Sequence, residues 1–190
     1  MPAVLLDRDG VINENRAEYV TTWEDFRFLP GALEALVALR RLGVRLAVVT
    51  NQSAVGRRLL APQALEEIHR RMLARCAAVG IAIDGVFVCP HAPWDRCACR
   101  KPQPGLLLRA MGALGEPPQR CVAIGDGHED LLAAAASGVP FVLVRTGRGE
   151  EALRHPACLT IPPLFVADDL RAAAETLRAY VTEPVLESTS

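Results

Sequence analysis

The sequence predicts an α/β fold, a Rossmann-like three-layer sandwich in which helices cover both faces of a mainly parallel sheet. Three observations predict it. Short β-rich apolar runs alternate with longer stretches of helical periodicity. The runs are apolar nearly throughout, as strands buried on both faces are. Each run ends at a residue that carries chemistry, so polar groups collect along the carboxyl edge, where open α/β sheets hold their ligands.

Ala3 to Leu6 is the first run and ends at Asp7; Val44 to Val49 is the second and ends at Thr50. Val86 to Val88 ends at Cys89, Cys121 to Ile124 ends before Asp126, and Phe141 to Val144 ends at Arg145. Pro30 opens a helix that Gly43 closes, and Pro62 opens another that closes near Gly80. A third runs from near Pro104 to Gly115, a fourth from Glu129 to Ser137 ahead of Gly138, and a fifth from an N-cap at Asp168 or Asp169 to about Tyr180. Two irregular insertions, Val11 to Leu29 and Cys89 to Gln103, leave the carboxyl edge and are expected to serve as substrate loops. Residues 1–181 are expected to form one domain with residues 182–190 as a frayed tail.

Composition narrows the function. The 190 residues are 51% hydrophobic and 23% charged, enough to build a core that buries about 70% of the unfolded surface without disulfides. The formal charge of −1 disfavours nucleic acid as the principal partner, so any phosphate recognition must be local, built from a few placed cations and backbone amides. No basic leader and no long uncharged apolar stretch is present, which predicts a soluble cytoplasmic protein with no membrane partner. In that reducing compartment the six cysteines read as ligands or core residues.

Asp7-Arg8-Asp9-Gly10 places one carboxylate at a strand tip and a second two residues on, in a turn that Gly10 permits. Alone, this spacing fits an ordinary turn or a cation-binding loop as well as a catalytic pair. Thr50-Asn51-Gln52 and Gly125-Asp126-Gly127-His128-Glu129-Asp130 repeat the pattern at two further strand ends. If the first and fourth strands are neighbours across a topological switch point, Asp7, Thr50 and Asp126 converge on one pocket. Cys89, His91, Cys97 and Cys99 form two closely spaced pairs within one loop, the donor set of a closed, structural tetrahedral zinc site. Cys76, Cys121 and Cys158 read as small core residues, Arg8 as a solvated loop residue, and His69 and His155 as surface residues.

In order and spacing, Asp7-x-Asp9, Thr50, Lys101 and Gly125-Asp126-x-x-x-Asp130 resemble the haloacid dehalogenase (HAD) superfamily. The resemblance implies a HAD-like fold and a magnesium-dependent phosphomonoester hydrolase that works through an aspartyl-phosphate. On that reading Asp7 is the nucleophile, Asp7, Asp126 and the backbone carbonyl of Asp9 ligate Mg²⁺, and Lys101 supplies a second cation. Thr50 and the amides around Asn51 would hold the phosphoryl oxygens, and Asp9 would protonate the leaving alcohol and later deprotonate water. Asp130 either orients Lys101 or a metal-bound water, or is a helix-start carboxylate favoured by the dipole. His128, beside Asp126, stays open.

The Cys-x-His…Cys-x-Cys-Arg-Lys-Pro loop is similar to the branch containing D-glycero-D-manno-heptose 1,7-bisphosphate phosphatases and histidinol-phosphate phosphatases. Asp7-Arg-Asp-Gly-Val-Ile-Asn13, Thr50-Asn-Gln-Ser53 and Phe28-Leu-Pro-Gly31 favour the heptose enzymes, and the resemblance implies substrate contacts from Asn51, Arg57 and Arg100. Departures from that pattern are Gly127 in place of a lysine, Ala54 and Arg58 in place of glycines, and an Arg16-Ala-Glu-Tyr19 turn one residue longer than the usual Arg-Gly-Tyr. Neither insertion is long enough for a large cap domain, so an open site acting as a monomer on a small phosphate ester is expected. A zinc-stabilised phosphate-binding module without turnover is the non-enzymatic alternative, while a zinc-finger-like nucleic-acid binder lacks its basic stripe.

Overall fold

The computed structural model of the chain describes residues 2–182. Apart from Thr182, which closes the last helix, the expected tail over residues 182–190 lies outside the described residues. Six strands, β1 (Ala3–Leu6), β2 (Arg45–Asn51), β3 (Gly85–Cys89), β4 (Cys121–Gly125), β5 (Phe141–Val144) and β6 (Phe165–Ala167), form one sheet in the order β3-β2-β1-β4-β5-β6. Every pairing is parallel. Ala3 to Leu6 pairs with Arg45 to Val48 on one side and with Cys121 to Ile124 on the other. The chain therefore winds outward from β1 to β3 and returns to β4 beside β1. That reversal opens the crevice at the switch point.

Five of the six strands coincide with the expected apolar runs. The sixth, β6, is missed because it is three residues long and only Ala167 in it is fully buried, so little periodicity marks it. The helices are α1 (Ala32–Arg41), α2 (Ser53–Gly56), α3 (Pro62–Ala78), α4 (Gly105–Leu114), α5 (His128–Ala136), α6 (Gly149–Ala152), α7 (Pro156–Thr160) and α8 (Leu170–Thr182). The short helices α2, α6 and α7 are too brief for a periodic signal. Of the two candidate caps for the last helix, Asp169 takes the role, its Oδ1 accepting the Ala172 amide at 2.8 Å.

Alternating strand residues divide the core into two layers. Val4, Leu6, Leu46, Val48 and Ile124 face one cluster completed by α1, α3 and α8; Leu5, Ala47, Val49 and Ala123 face the other, completed by α4 and α5. In α1 the buried Ala32, Ala35, Leu36 and Leu39 follow the helical repeat, and each leucine so buried contributes about 2 kcal/mol. The first insertion folds back rather than rising as a cap. Asn13 bridges to Phe28, the Leu29 amide donates to the Ile12 carbonyl at 3.0 Å, and Val11, Ile12, Val20 and Phe26 are buried.

Arg8 corrects the expectation of a solvated residue: it is 1% exposed. Its Nη1 lies 2.9 Å from His69 Nε2 on α3, and its guanidinium sits 5.8 Å from the Phe26 ring centroid. Guanidinium nitrogens only donate, so Nε2 must be the acceptor and His69 must be neutral with its proton on Nδ1. His69 is thus buried, not superficial, and burial, followed by the Arg8 charge, lowers its pKa to about 3. His155 is also partly buried, where its Nδ1 accepts the Ala157 amide at 3.1 Å and starts α7.

A histidine whose folded pKa is depressed keeps its full stability above the unfolded value near 6.5 and loses it as pH falls toward the folded value. Lowering the pH from 7 to 5 should therefore cost about 2 kcal/mol through this residue. Urea unfolding at both pH values should show His69→Gln losing less stability than the unsubstituted protein. Equal losses would contradict the buried neutral imidazole.

Candidate active site

Three adjacent strand ends deliver the site. Asp7 follows β1, Thr50 and Asn51 close β2, and Asp126 follows β4. One carboxylate oxygen from each of Asp7, Asp126 and Asp130 lies within 4.8 Å of the others, and all three residues are buried. Burial pushes Asp7 up to about 7, against the pull of Lys101, and pushes Asp126 up to about 8, with Asp7 and Asp130 adding to it. Asp126 Oδ2 accepts the Arg148 amide at 2.8 Å, whereas its buried Oδ1 has no protein partner. Clustered hard oxygens with one lone acceptor at the centre match what a magnesium-sized cation takes from protein.

Gly10 and Gly147 give this carboxylate its room. Both have positive φ, +82° and +60°, and a Cβ on either would stand 2.0 Å from Asp126 Oδ2. The Thr146 hydroxyl donates to the Gly10 carbonyl at 2.6 Å, tying the loop after β5 to the loop after β1 directly over Asp126.

Lys101 is 3% exposed, and its ammonium has three acceptors for three protons: Asp130 Oδ1 at 2.5 Å, the Val49 carbonyl at 2.9 Å and Asp7 Oδ1 at 3.0 Å. Burial works against its charge, but Asp130 and Asp7 outweigh it and its pKa is raised. Both readings of Asp130 hold at once. Its Oδ1 orients Lys101, and its Oδ2 accepts the Gly127 amide at 3.0 Å at the start of α5. Asn51 clamps the Lys101 peptide from both sides, donating to its carbonyl at 3.0 Å and accepting its amide at 3.1 Å.

Asp9 is held by Arg8 Nη2 at 2.9 and 3.0 Å, Asn13 Nδ2 at 2.8 Å and Gln52 Nε2 at 2.7 Å. Burial would raise its pKa, but the Arg8 charge and these donors prevail and hold it below the usual carboxylate value. The same Gln52 amide donates to the Thr50 hydroxyl at 2.8 Å, leaving the hydroxyl proton of the buried Thr50 free to donate. Arg8, Asn13 and Gln52 carry no signal of this role in sequence, because their partner is reached only by folding.

The zinc-type donors also assemble. Cys89 Sγ lies 3.6 Å from both His91 Nδ1 and Cys97 Sγ, Cys99 Sγ lies 3.3 Å from His91 Nδ1, and the Cys97 and Cys99 sulfurs are 3.5 Å apart. Bond lengths of a tetrahedral zinc centre put its donors about 3.4–3.8 Å apart, so this cluster could hold such an ion. Its loop docks on α2, where the Gly56 amide donates to the Pro90 carbonyl at 2.7 Å and a Cβ on Gly56 would strike Ala92 N at 2.4 Å.

A cavity of about 550 Å³ opens above these groups, lined by Asp7, Asp9, Asn51, Lys101 and Asp130 and walled by arginines. Arg57 and Arg100 reach it from α2 and the cysteine loop, as expected; the Arg57 guanidinium rests 4.8 Å from the Trp94 ring centroid and Arg100 Nη1 lies 3.5 Å from the His91 carbonyl. Arg148, on the opposite side, is a wall residue that sequence reasoning missed. His128 stacks on His155 with ring centroids 3.7 Å apart and is not among the cavity residues. No helix among the described residues is long and apolar enough to cross a membrane.

Comparison with known proteins agrees with this geometry. A family model described as HAD-hydrolase-like matches residues 98–173. The D-glycero-beta-D-manno-heptose-1,7-bisphosphate 7-phosphatase of Pseudomonas putida is 37% identical over 177 residues, covering 93% of this chain and 99% of that protein. The D-glycero-alpha-D-manno-heptose-1,7-bisphosphate 7-phosphatase of Mycobacterium tuberculosis is 41% identical over 148 residues, covering 74% of this chain and 78% of that protein. The crystal structure of the heptose 1,7-bisphosphate phosphatase from B. bronchiseptica, complexed with magnesium and phosphate, superposes with a TM-score of 0.88 at 36% identity, covering 95% of this chain and 99% of that one. Matched along nearly their whole length by relatives of this kind, the chain is a phosphatase of the HAD hydrolases and belongs to the family of the heptose-1,7-bisphosphate 7-phosphatases.

Proposed function

We propose that the protein removes the 7-phosphate from a D-glycero-D-manno-heptose 1,7-bisphosphate, with Mg²⁺ at the carboxylate cluster and a structural Zn²⁺ in the cysteine loop. The observation that carries this reading is Asp7 at the tip of β1, within reach of both Lys101 and the cluster that includes Asp126. Asp7, Asp126 and the Asp9 backbone carbonyl would hold Mg²⁺, which when bound supplies positive charge against the mutual repulsion of carboxylate and phosphate dianion.

Asp7 attacks phosphorus, and the bond to the sugar oxygen breaks to leave an aspartyl-phosphate. Lys101 keeps the Asp7 carboxylate oriented for that attack, and the Thr50 hydroxyl and amides near Asn51 donate to phosphoryl oxygens. Asp9 is ionised at rest; an arriving phosphate dianion raises its proton affinity, so Asp9 takes up one proton from solvent and passes it to the leaving oxygen as the bond to phosphorus breaks. After the sugar leaves, Asp9 takes a proton from the water that cleaves the acyl phosphate. Arg57, Arg100 and Asn51, which line the cavity, would contact the substrate beyond the transferred phosphate. Catalysis by a single small domain, as a monomer in the cytoplasm, completes the proposal.

Three measurements test it. Asp7→Asn should lower kcat by about three orders of magnitude or more with heptose 1,7-bisphosphate of either anomer, without loss of fold by circular dichroism. Comparable turnover in that variant would end the covalent mechanism. Because Asp7 and Asp126 titrate near 7 and 8, their protons must leave before a cation binds, so Mg²⁺ should raise the thermal midpoint more at pH 8 than at pH 6. An equal rise at both pH values would count against these ligands. Stripping zinc with a chelator should lower thermal stability and activity together, and protein purified without chelator that contains no zinc would remove that part of the reading.

A further inference from the structure

Backbone geometry does not require a glycine at position 127. Its φ of −120° and ψ of 153° suit any side chain. What a side chain there would meet is two side-chain ends: a Cβ would lie 2.7 Å from Arg148 Nη2 and 2.8 Å from Glu129 Oε2, so both would have to shift from the places they hold. The guanidinium of Arg148 occupies the volume that a side chain at position 127 would fill.

The loop carrying Arg148 is fixed independently of that guanidinium. Its amide donates to Asp126 Oδ2, Thr146 donates to Gly10, and a Cβ on Gly149 would meet the Val144 carbonyl at 1.9 Å. From this anchored peptide the side chain reaches past Asp126 toward Glu129, with contacts of 3.4 Å from Nη1 and 3.3 Å from Nη2. A guanidinium has five N–H donors, so three remain after these two long contacts. The side chain is 45% exposed and lines the cavity on the wall opposite Arg57 and Arg100.

The inner end of the cavity already has its cation in Lys101, whose protons are all committed. A cavity-wall guanidinium with donors to spare is suited to a second anion on the substrate. We infer that Arg148 is a specificity-determining residue that binds the phosphate not transferred, and that Gly127 is small in order to admit it. The inference rests on the phosphatase reading above and adds a residue to it.

Steady-state kinetics of Arg148→Ala on a heptose 1,7-bisphosphate and on p-nitrophenyl phosphate tests this. The variant keeps the peptide N–H that holds Asp126, so the guanidinium alone is removed. The KM for the bisphosphate should rise about tenfold or more, the loss expected for one charge-assisted phosphate contact, while the KM for the monophosphate and both kcat values change less than about threefold. Arg148→Lys should restore part of the preference. Gly127→Ala, which displaces the guanidinium, should reproduce the loss in the unsubstituted protein and add little to Arg148→Ala. Retention of the bisphosphate preference in Arg148→Ala overturns the inference, as does an equal loss on both esters, which would mark a structural role. An unsubstituted enzyme indifferent to the second phosphate would instead overturn the substrate reading itself, and the inference with it.

Discussion

One buried ammonium organises the site. Lys101 joins four parts of the fold through three contacts and its own position: β1 by Asp7, α5 by Asp130, β2 by the Val49 carbonyl, and the cysteine loop from which it projects. Without it, three buried carboxylates would face one another with no cation among the described side chains to hold Asp7, and such groups protonate rather than stay charged. Breaking a buried ion pair by removing one partner costs about 3–5 kcal/mol, so the same contacts that orient Asp7 also bind the cysteine loop to the sheet. Asn51 fixes the lysine peptide rather than its charge, and in doing so ties the end of β2 to the same loop.

How far the site could be read in sequence follows from which contacts are local. Asp7, Thr50, Asn51 and Asp126 were legible because each ends an apolar run, and β1, β2 and β4 prove adjacent. The cysteine cluster was legible from spacing alone, since two short pairs on one loop can close on each other with little help from the rest of the chain. Arg8 and His69 were not, because an arginine and a histidine read as surface residues until a partner 61 positions away is known. Arg148 was hidden for a related reason: the loop after β5 has no pattern of its own, and only β5 beside β4 carries it over Asp126.

Asp130 illustrates a further limit of spacing. Its place one turn beyond Asp126 fits a helix-start acceptor and a partner for Lys101 equally well, and each of its oxygens takes one role. A carboxylate has enough lone pairs for both, so rival readings of one acidic residue need not exclude each other.

An uncapped site must choose its substrate without enclosing it. A lid would discriminate by shape and by excluding water, but the first insertion here is anchored in the core through Val11, Ile12 and Phe26, and its residues Asn15, Arg16 and Tyr19 form part of the cavity wall. Discrimination then has to come from the walls, through charges placed to match charges on the substrate. Exposed arginines on flexible stems would do this poorly, since each must be ordered on binding. Three of the wall arginines here are partly ordered in advance: Arg57 against Trp94, Arg100 toward the His91 carbonyl and Arg148 between Glu129 and the anchored loop over Asp126. Two of those three supports belong to the cysteine loop. On the proposed zinc reading, a closed metal centre that takes no part in bond breaking would act on recognition as well as stability, because the loop it would staple carries Lys101, one wall arginine and the aromatic ring beneath another.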